Sequence, residues 1–304
     1  MIMSSISHKL HTLFHTPRIL QIKFASSPLF RLLPDKAAVK LIYKNVFGES
    51  LNLKDPKNFS EKLQWLKLYD RKPEYTTMVD KFAAKAYVAD KIGEEYIIPT
   101  LGVWERFEDI DFDQLPDQFV LKCTHGSGDV VICRDKAKLD LAAAKKKLTK
   151  ALKTDFYKIG REWPYKNVPR RIIAEKYMAA ADDAEGLTDY KYFCFNGEPQ
   201  VMFILSDRHA DCRLDFFDMD FNHLDLQYTY PNAETKVKQP IHFEKMKELA
   251  RTLAKNIPLA RIDFYEIDGR IYFGEITLYP GGGFSIFNPS NWELKLGDLI
   301  KLPK

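Results

Sequence analysis

The chain has 304 residues, of which 45% are hydrophobic, 13% aromatic and 29% charged, and its formal net charge is +4. This is globular composition, long enough for about two domains, with too little net charge to mark a nucleic-acid partner. No run approaches the roughly 18 apolar residues of a membrane span, and Cys123, Cys133, Cys194 and Cys212 form no C-x-x-C pair and join no histidine cluster, which argues against zinc and for reduced thiols in a cytoplasmic protein.

The first thirty residues lack the clean apolar core of a signal peptide. His8, His11 and His15 have helical spacing, which reads as a solvated helix rather than a metal site; a short amphipathic segment resting on a membrane surface is the alternative. Residues 1–75 read as helical, with an interruption at Pro34. In "NFSEKLQWLKLY" Ser60 is the expected N-cap of a helix carrying Leu63, Leu66 and Leu68, and Asp80 caps a second helix ending near Gly93. Short strands follow in "YIIPTLGVW", "QFVLKC" and "VVICR". The segment "LDLAAAKKKLTKALK" predicts a helix with Leu139, Leu141, Ala144, Leu148 and Leu152 on one apolar stripe. From Arg134 to Lys176 there are 14 Lys/Arg against 5 Asp/Glu, a solvated basic face or a cationic wall for an anionic ligand. "RRIIAEKYM" is a strand running into a connector, and "DYKYFCFNGEPQVMFIL" is a hairpin turning at Asn196-Gly197, with Cys194 in the core. Residues 243–256 predict a helix, and a last hairpin turns at Asp268-Gly269. The fold class is α+β with mostly antiparallel sheets and helices on one side.

That last hairpin carries the chemistry. In "ARIDFYEIDGRIYFGEITLYPGGGF" the polar residues Arg261, Asp263, Glu275 and Thr277 interrupt apolar strands at the end away from the turn. A two-residue turn pairs Ile267 with Arg270 and puts the two carboxylates on opposite faces, since side chains alternate and one residue of slip flips them. A longer loop or a bulge puts them together. The opposed arrangement would strand one acid in the core at a cost of several kcal/mol. The expectation is therefore a shared face, with Asp263 and Glu275 converging on Mg²⁺ or Mn²⁺ and Thr277 adding a hydroxyl. A surface ion pair to Arg261 is the plainer reading.

Mg²⁺ held by so few protein oxygens needs phosphate ligands, and "FVLKCTHGSGDVV" offers them a site. Lys122 ends a strand, and Gly126, Ser127 and Gly128 form a loop whose backbone N–H groups can approach phosphate. Lys81 or Lys85 supplies a second cation. Glu175 and the connector after it suit an adenine edge, and Asp182 or Asp183 a ribose. Each of these taken alone is equally an ordinary hairpin turn, exposed lysine or strand end.

In this order the pieces resemble the ATP-grasp superfamily. The hairpin is similar to the metal-site hairpin of D-alanine–D-alanine ligases, "IIAEKYM" to their adenine connector, and nearly the whole chain, including "NFSEKLQWLKLYDRKPEYTTMVDK" and "NWELKLGDLIKLP", to the teichuronopeptide-biosynthesis (TupA-like) type found among bacterial surface-polysaccharide proteins. The resemblance implies two α+β subdomains clasping ATP, at residues 76–178 and 179–304, behind a helical N-terminal region, 1–75. It implies Lys81 and Lys122 on the ATP phosphates and a lid of His125, Gly126, Ser127 and Gly128. It implies Glu175, Tyr177, Met178 and Asp183 around the nucleoside, and Asp263, Glu275 and Thr277 on the metal. Arg261, with Lys122 and Gly282, would act at the reacting centre. Thr277 stands where the family has Asn, and the family's usual N-terminal Rossmann-like domain is replaced by helices. The activity implied is an ATP-dependent carboxylate–amine ligase joining an amino acid to a uronic-acid or amino-sugar unit. Its partners would be an anionic sugar or glycan acceptor and, at the inner membrane face, polysaccharide machinery. The rivals are a phosphotransferase acting on a sugar or glycan at the same nucleotide site and a non-catalytic nucleotide-binding component; a glycosyltransferase would not call for two lysines.

Overall fold

The computed structural model describes residues 28–179, 187–206 and 212–303. Helices α1 (Pro28–Leu32) and α2 (Asp35–Phe47) are separated at Pro34, and α2 stops at Gly48, whose left-handed φ of 74° lets its N–H return to the Lys44 carbonyl. Helix α3 (Phe59–Tyr69) is started by Asn58, not by Ser60 as the sequence suggested. Asn58 accepts from the Glu61 N–H (2.8 Å) and the Glu61 carboxylate accepts from the Asn58 N–H, a capping box contributing about 1 kcal/mol. Ser60 lies inside the helix and instead donates through its N–H and Oγ to Glu293 (3.1 and 2.9 Å). Helices α4 (Glu74–Val79) and α5 (Ala83–Ile92) follow, with Asp80 accepting from the N–H groups of Phe82 and Ala83.

The first sheet is built from β1 (Thr100–Trp104), β2 (Phe119–Cys123), β3 (Val131–Cys133) and β4 (Ile172–Lys176), in the antiparallel order β1-β4-β2-β3. Helix α6 (Leu141–Lys153) covers one face, packing Ala144 and Leu148 on Phe119, Leu121, Ile172 and Ala174. Leu141 departs from the expected stripe and is 48% exposed, because it begins the helix beyond the sheet's cover. A short helix α7 (Tyr157–Gly160) precedes β4.

The second sheet contains β5 (Asp189–Phe195), β6 (Glu198–Ser206), β7 (Arg213–Asp218), β9 (Leu259–Ile267) and β10 (Arg270–Thr277) in the antiparallel order β10-β9-β5-β6-β7, while β8 (Gln227–Tyr228) pairs separately with β11 (Phe287–Asn288). The β5–β6 turn at Asn196-Gly197 has φ of 52° and 90°, the doubly left-handed turn that Asn-Gly favours. Helix α8 (Phe243–Leu253) buries Met246, Leu249, Ala250 and Leu253 against this sheet. Helix α9 (Trp292–Leu299) returns to α3: a Cβ on Gly297 would lie 2.4 Å from the Lys57 carbonyl, so only glycine allows this approach. Lys62 donates to the carbonyls of Gly297 and Ile300 (both 2.9 Å). Phe59, Leu63 and Leu66 of α3 share one core with Phe193 and Phe195, so α3 is packed into the second sheet's core, while Phe30 of α1 and Ala38, Val39, Ile42 and Tyr43 of α2 form a separate cluster with Phe284. Among the described residues no helix is long and apolar enough to cross a membrane.

Candidate active site

The β9–β10 hairpin has both features that the sequence placed in competition. Its turn is the two-residue kind: Arg270 pairs with Ile267, and Asp268 and Gly269 have φ of 48° and 70°. Pairing stays regular to Phe273–Phe264 and then shifts by one, so that Glu275 opposes Asp263 and Thr277 opposes Arg261. Gly274 is the extra residue. A Cβ there would approach the Asp263 carbonyl to 3.1 Å, so glycine lets the bulge lie close to β9. Ile262, Phe264, Phe273 and Ile276 go to the core, and the four polar residues share the other face.

Arg261 is the hub of that face. Its Nε and Nη2 donate to the two oxygens of Asp263 (2.6 and 2.7 Å), and Nη2 also donates to Glu275 Oε1 (2.7 Å) and Thr277 Oγ1 (2.9 Å). Lys191, opposite Asp263 on β5, donates to Asp263 Oδ2 (2.5 Å). Asp263 is 1% exposed. Burial raises its pKa above the ordinary carboxylate value, with Arg261 and Lys191 opposing that shift. Glu275 is different, with a side chain 40% exposed. Desolvation is outweighed by Arg261, Lys81, Lys191 and Lys122, which hold its carboxyl down to about 2. Sequence reasoning missed Lys191; the available signal was a lysine inside the apolar strand "DYKYFCF".

Glu275 opens on a cleft of about 330 Å³ between the two sheets. On β2 the residues alternate: Phe119, Leu121 and Cys123 face the core, while Val120 and Lys122 line the cleft. Glu175, on the adjoining strand β4, is 5% exposed and bridges two lysines, Lys85 through Oε1 and Lys122 through Oε2 (both 2.6 Å). Burial pushes its carboxyl up, but the two lysines prevail and hold it below the usual range. Lys81 and Lys85 both line the cleft, as does Arg134, which the sequence reading left unassigned. Lys81 Nζ donates to the Gly126 carbonyl. Away from these cations the walls are Ile98, Val120, Ile132, Met178 and Phe273, with Tyr177 beside them, a slot suited to a planar base.

His125, Gly126, Ser127 and Gly128 line a second cavity, of about 340 Å³, on the far side of their loop. Gly281 and Gly282 line it from the C-terminal half. Gly281, Gly282 and Gly283 are consecutively left-handed (φ 61°, 67° and 67°), a path that side chains resist. The Gly282 N–H is used inside the loop, donating to the Tyr279 carbonyl (2.8 Å), so this residue offers its cavity a bare surface rather than that donor. The loop is held from α3, a support the sequence did not reveal. Gln64 Nε2 donates to the Gly283 carbonyl (2.6 Å), and the fully buried Lys67 donates to the carbonyls of Gly160 (2.8 Å) and Gly282 (2.7 Å). Burial pulls the Lys67 amine down to about 7, against the pull of Glu162 and Asp35.

Asp182, Asp183, His8, His11 and His15 lie outside the described residues. Among the described residues, no three His, Cys, Asp or Glu side chains gather as a metal cage. Both Asp263 oxygens already accept from cationic donors, and the Thr277 hydroxyl donates to Glu275 Oε1 (3.2 Å). The outer oxygen of Glu275 therefore fits a hard divalent cation carried on phosphate oxygens better than the whole set fits a protein cage.

Comparison with known proteins bears on this arrangement. The family model described as TupA-like ATPgrasp matches residues 61–301. No curated protein sequence matches significantly. Among solved structures, D-alanine–D-alanine ligase from Bacillus anthracis is 21% identical, with 73% of this chain and 66% of that chain covered and a TM-score of 0.44. The corresponding Helicobacter pylori ligase is 17% identical (80% and 69% covered, TM-score 0.41). The ATP-grasp ligase PsnB, complexed with minimal precursor, is 11% identical (79% and 66% covered, TM-score 0.42). The chain thus spans slightly less than two thirds of the Bacillus anthracis enzyme.

Proposed function

The chain belongs to the TupA-like ATP-grasp family, and from that premise we propose that it is an ATP-dependent carboxylate–amine ligase of polysaccharide biosynthesis. The carboxylate is activated as an acyl phosphate and an amine then displaces the phosphate. The observation that carries this reading is the junction of hairpin and cleft, where Arg261 grips Glu275 while Lys81 and Lys122 act on the same carboxylate from the cleft.

Each residue has a part in that chemistry. Lys81 and Lys122 hold the phosphates, and Glu175, paired with Lys85 and Lys122, keeps both amines aimed into the cleft. Tyr177 and Met178 frame the base. Glu275 takes the metal, with Asp263 and Thr277 orienting it through Arg261; Mg²⁺, or Mn²⁺ in its place, supplies Lewis-acid charge to the phosphate oxygens when bound. Arg261 stabilises negative charge that develops on the acyl oxygen. The Gly126–Gly128 loop excludes water, which would otherwise hydrolyse the acyl phosphate. The substrates are a uronic-acid carboxylate and the amine of an amino acid or amino sugar.

The test is an ATP-dependent phosphate-release screen over amino acids, amino sugars and uronates, with product analysis. An amide together with ADP and phosphate is the expected result. A phosphorylated acceptor with ADP would make the protein a phosphotransferase and overturn the reading.

A further inference from the structure

The cavity on the far side of the glycine loop has the opposite electrical character from the nucleotide cleft. Lysines and arginines line the cleft; among the described residues none lines the cavity, whose ionisable walls are Cys123, His125, Asp129 and Glu162. Lys67 stands behind it with its amine committed to two carbonyls. Two of the buried polar atoms on its lining residues are acceptors without a donor. His125 Nε2 faces the carbonyls of Ala151 and Thr154, both at 3.2 Å, so Nε2 carries the proton and Nδ1 presents a lone pair. Burial holds the imidazole below its ordinary pKa and hence neutral. Asp129 Oδ2 accepts from the Cys123 N–H (2.6 Å), and its Oδ1 is left over. His125 and Asp129 are 3% and 7% exposed, and His125 Nδ1 and Asp129 Oδ1 have no hydrogen-bond partner among the described residues. Two buried acceptors without donors are costly, and each lacks the same thing, an N–H or O–H. Glu162 brings a further carboxylate oxygen, which would lie 3.5 Å from a Cβ on Gly282.

We propose that this cavity binds the amine substrate as an ammonium group, with its N–H donors directed at Asp129 Oδ1 and His125 Nδ1. This rests on the ligase reading and deepens it. The anionic substrates, nucleotide and uronate, belong to the lysine-lined cleft, and the cationic one belongs here. The two sites adjoin, because Lys81 lines the cleft while its Nζ holds the carbonyl of Gly126, which lines the cavity. A volume of about 340 Å³ accommodates one amino acid or one amino sugar, not a polymer segment. Gly281 and Gly282 leave its wall free of side chains, so the amine's carbon skeleton can lie against the backbone.

The experiment uses the full chain without nucleotide and ligand-observed NMR with D-glucosamine and glycinamide, each compared with its N-acetyl derivative. The expected result is saturable binding of at least one amine, with its N-acetyl form weaker by about tenfold or more, as for loss of a charged hydrogen-bonding group. D129N is isosteric and turns an acceptor into a donor, and it should weaken the amine by a similar factor. The proposal is overturned if neither amine binds, if the N-acetyl forms bind as well as the amines, or if D129N binds the amine unchanged. The wild-type comparison of amine with N-acetyl form does not depend on that variant folding. ADP titration of the wild-type sample reads the cleft separately: absence of ADP binding counts against the ligase reading, whereas ADP binding without amine discrimination counts against this site alone.

Discussion

Asp263 and Glu275 oppose each other on one face, yet their removal should have different consequences. Asp263→Ala takes the acceptor from three cationic N–H donors at 2.5–2.7 Å. Hydrogen bonds to charged groups contribute about 1.5–3 kcal/mol each, which would sum to roughly 5–9 kcal/mol. Two effects reduce that. Asp263 no longer has to be buried as a charge, and Arg261 keeps Glu275 and Thr277 as partners. What remains is the cost of breaking a buried pair, about 3–5 kcal/mol, a large part of the roughly 5–15 kcal/mol that holds a typical protein folded. Glu275→Ala removes a side chain that is 40% exposed, so its ion pair is screened by solvent and contributes at most about 1 kcal/mol to stability. Its loss should nevertheless lower ATP turnover on the order of 100-fold, because its outer oxygen is the one facing the cleft. Urea unfolding followed by tryptophan fluorescence, alongside phosphate release, separates the two. Only Asp263→Ala should shift the unfolding midpoint strongly. An Asp263→Ala stability within about 1 kcal/mol of wild type, or a Glu275→Ala loss as large as that of Asp263→Ala, would refute the division of labour.

Burial pushes the Glu293 carboxyl from 4.5 to about 7 while Ser60 opposes the shift. A raised carboxyl contributes stability that is complete below its unfolded pKa and is lost as pH rises through its folded one. Glu293→Gln should therefore raise unfolding stability at alkaline pH by about 3 kcal/mol, a gain that fades below about pH 5 in melting curves run across pH. Gly297→Ala drives a methyl group into the Lys57 backbone and should cost about 1–3 kcal/mol in urea unfolding; an unchanged midpoint would contradict the close approach of α9 to α3. Lys122→Met should raise the KM for ATP about 10- to 100-fold, as for a lost charged contact, and an unchanged KM would remove Lys122 from the phosphates.

The sequence made the local devices legible and obscured the remote ones. The Asp-Gly turn is a short-range signal, and the demand that two carboxylates avoid the core made a bulge or longer loop necessary, although Gly274 was not singled out as its place. Polarity alternation likewise put Lys122 and Val120 on one face of β2. Asn58 was passed over because Ser60 is an equally good capping residue and the choice turns on the partner, Glu61, three positions later. Lys191 and Lys67 were illegible for a different reason. A lysine in an apolar strand or helix reads as exposed until the opposing element is known, and here the opposing elements are Asp263 and the Gly282 carbonyl. His125 was expected over the phosphates on its position beside the glycines; the reach of α6, whose end supplies the Ala151 carbonyl, turns it toward the second cavity.

The hold of α3 on the glycine loop also has a bearing on synthesis. Lys67 and Gln64 reach their carbonyls across 215 and 219 residues of chain, and Ser60 reaches Glu293 across 233. At about 5–20 residues per second a ribosome needs roughly 10–50 s to deliver those partners after α3 has emerged. Throughout that interval Phe59 lacks Phe287 and Leu63 lacks the Gly283 loop, even after Phe193 and Phe195 have emerged, which makes α3 a natural stretch for a chaperone to grip. The wall that Gly281 and Gly282 give the second cavity can be assembled only when the polypeptide is nearly complete, so an unfinished chain carries the cleft lysines without that wall.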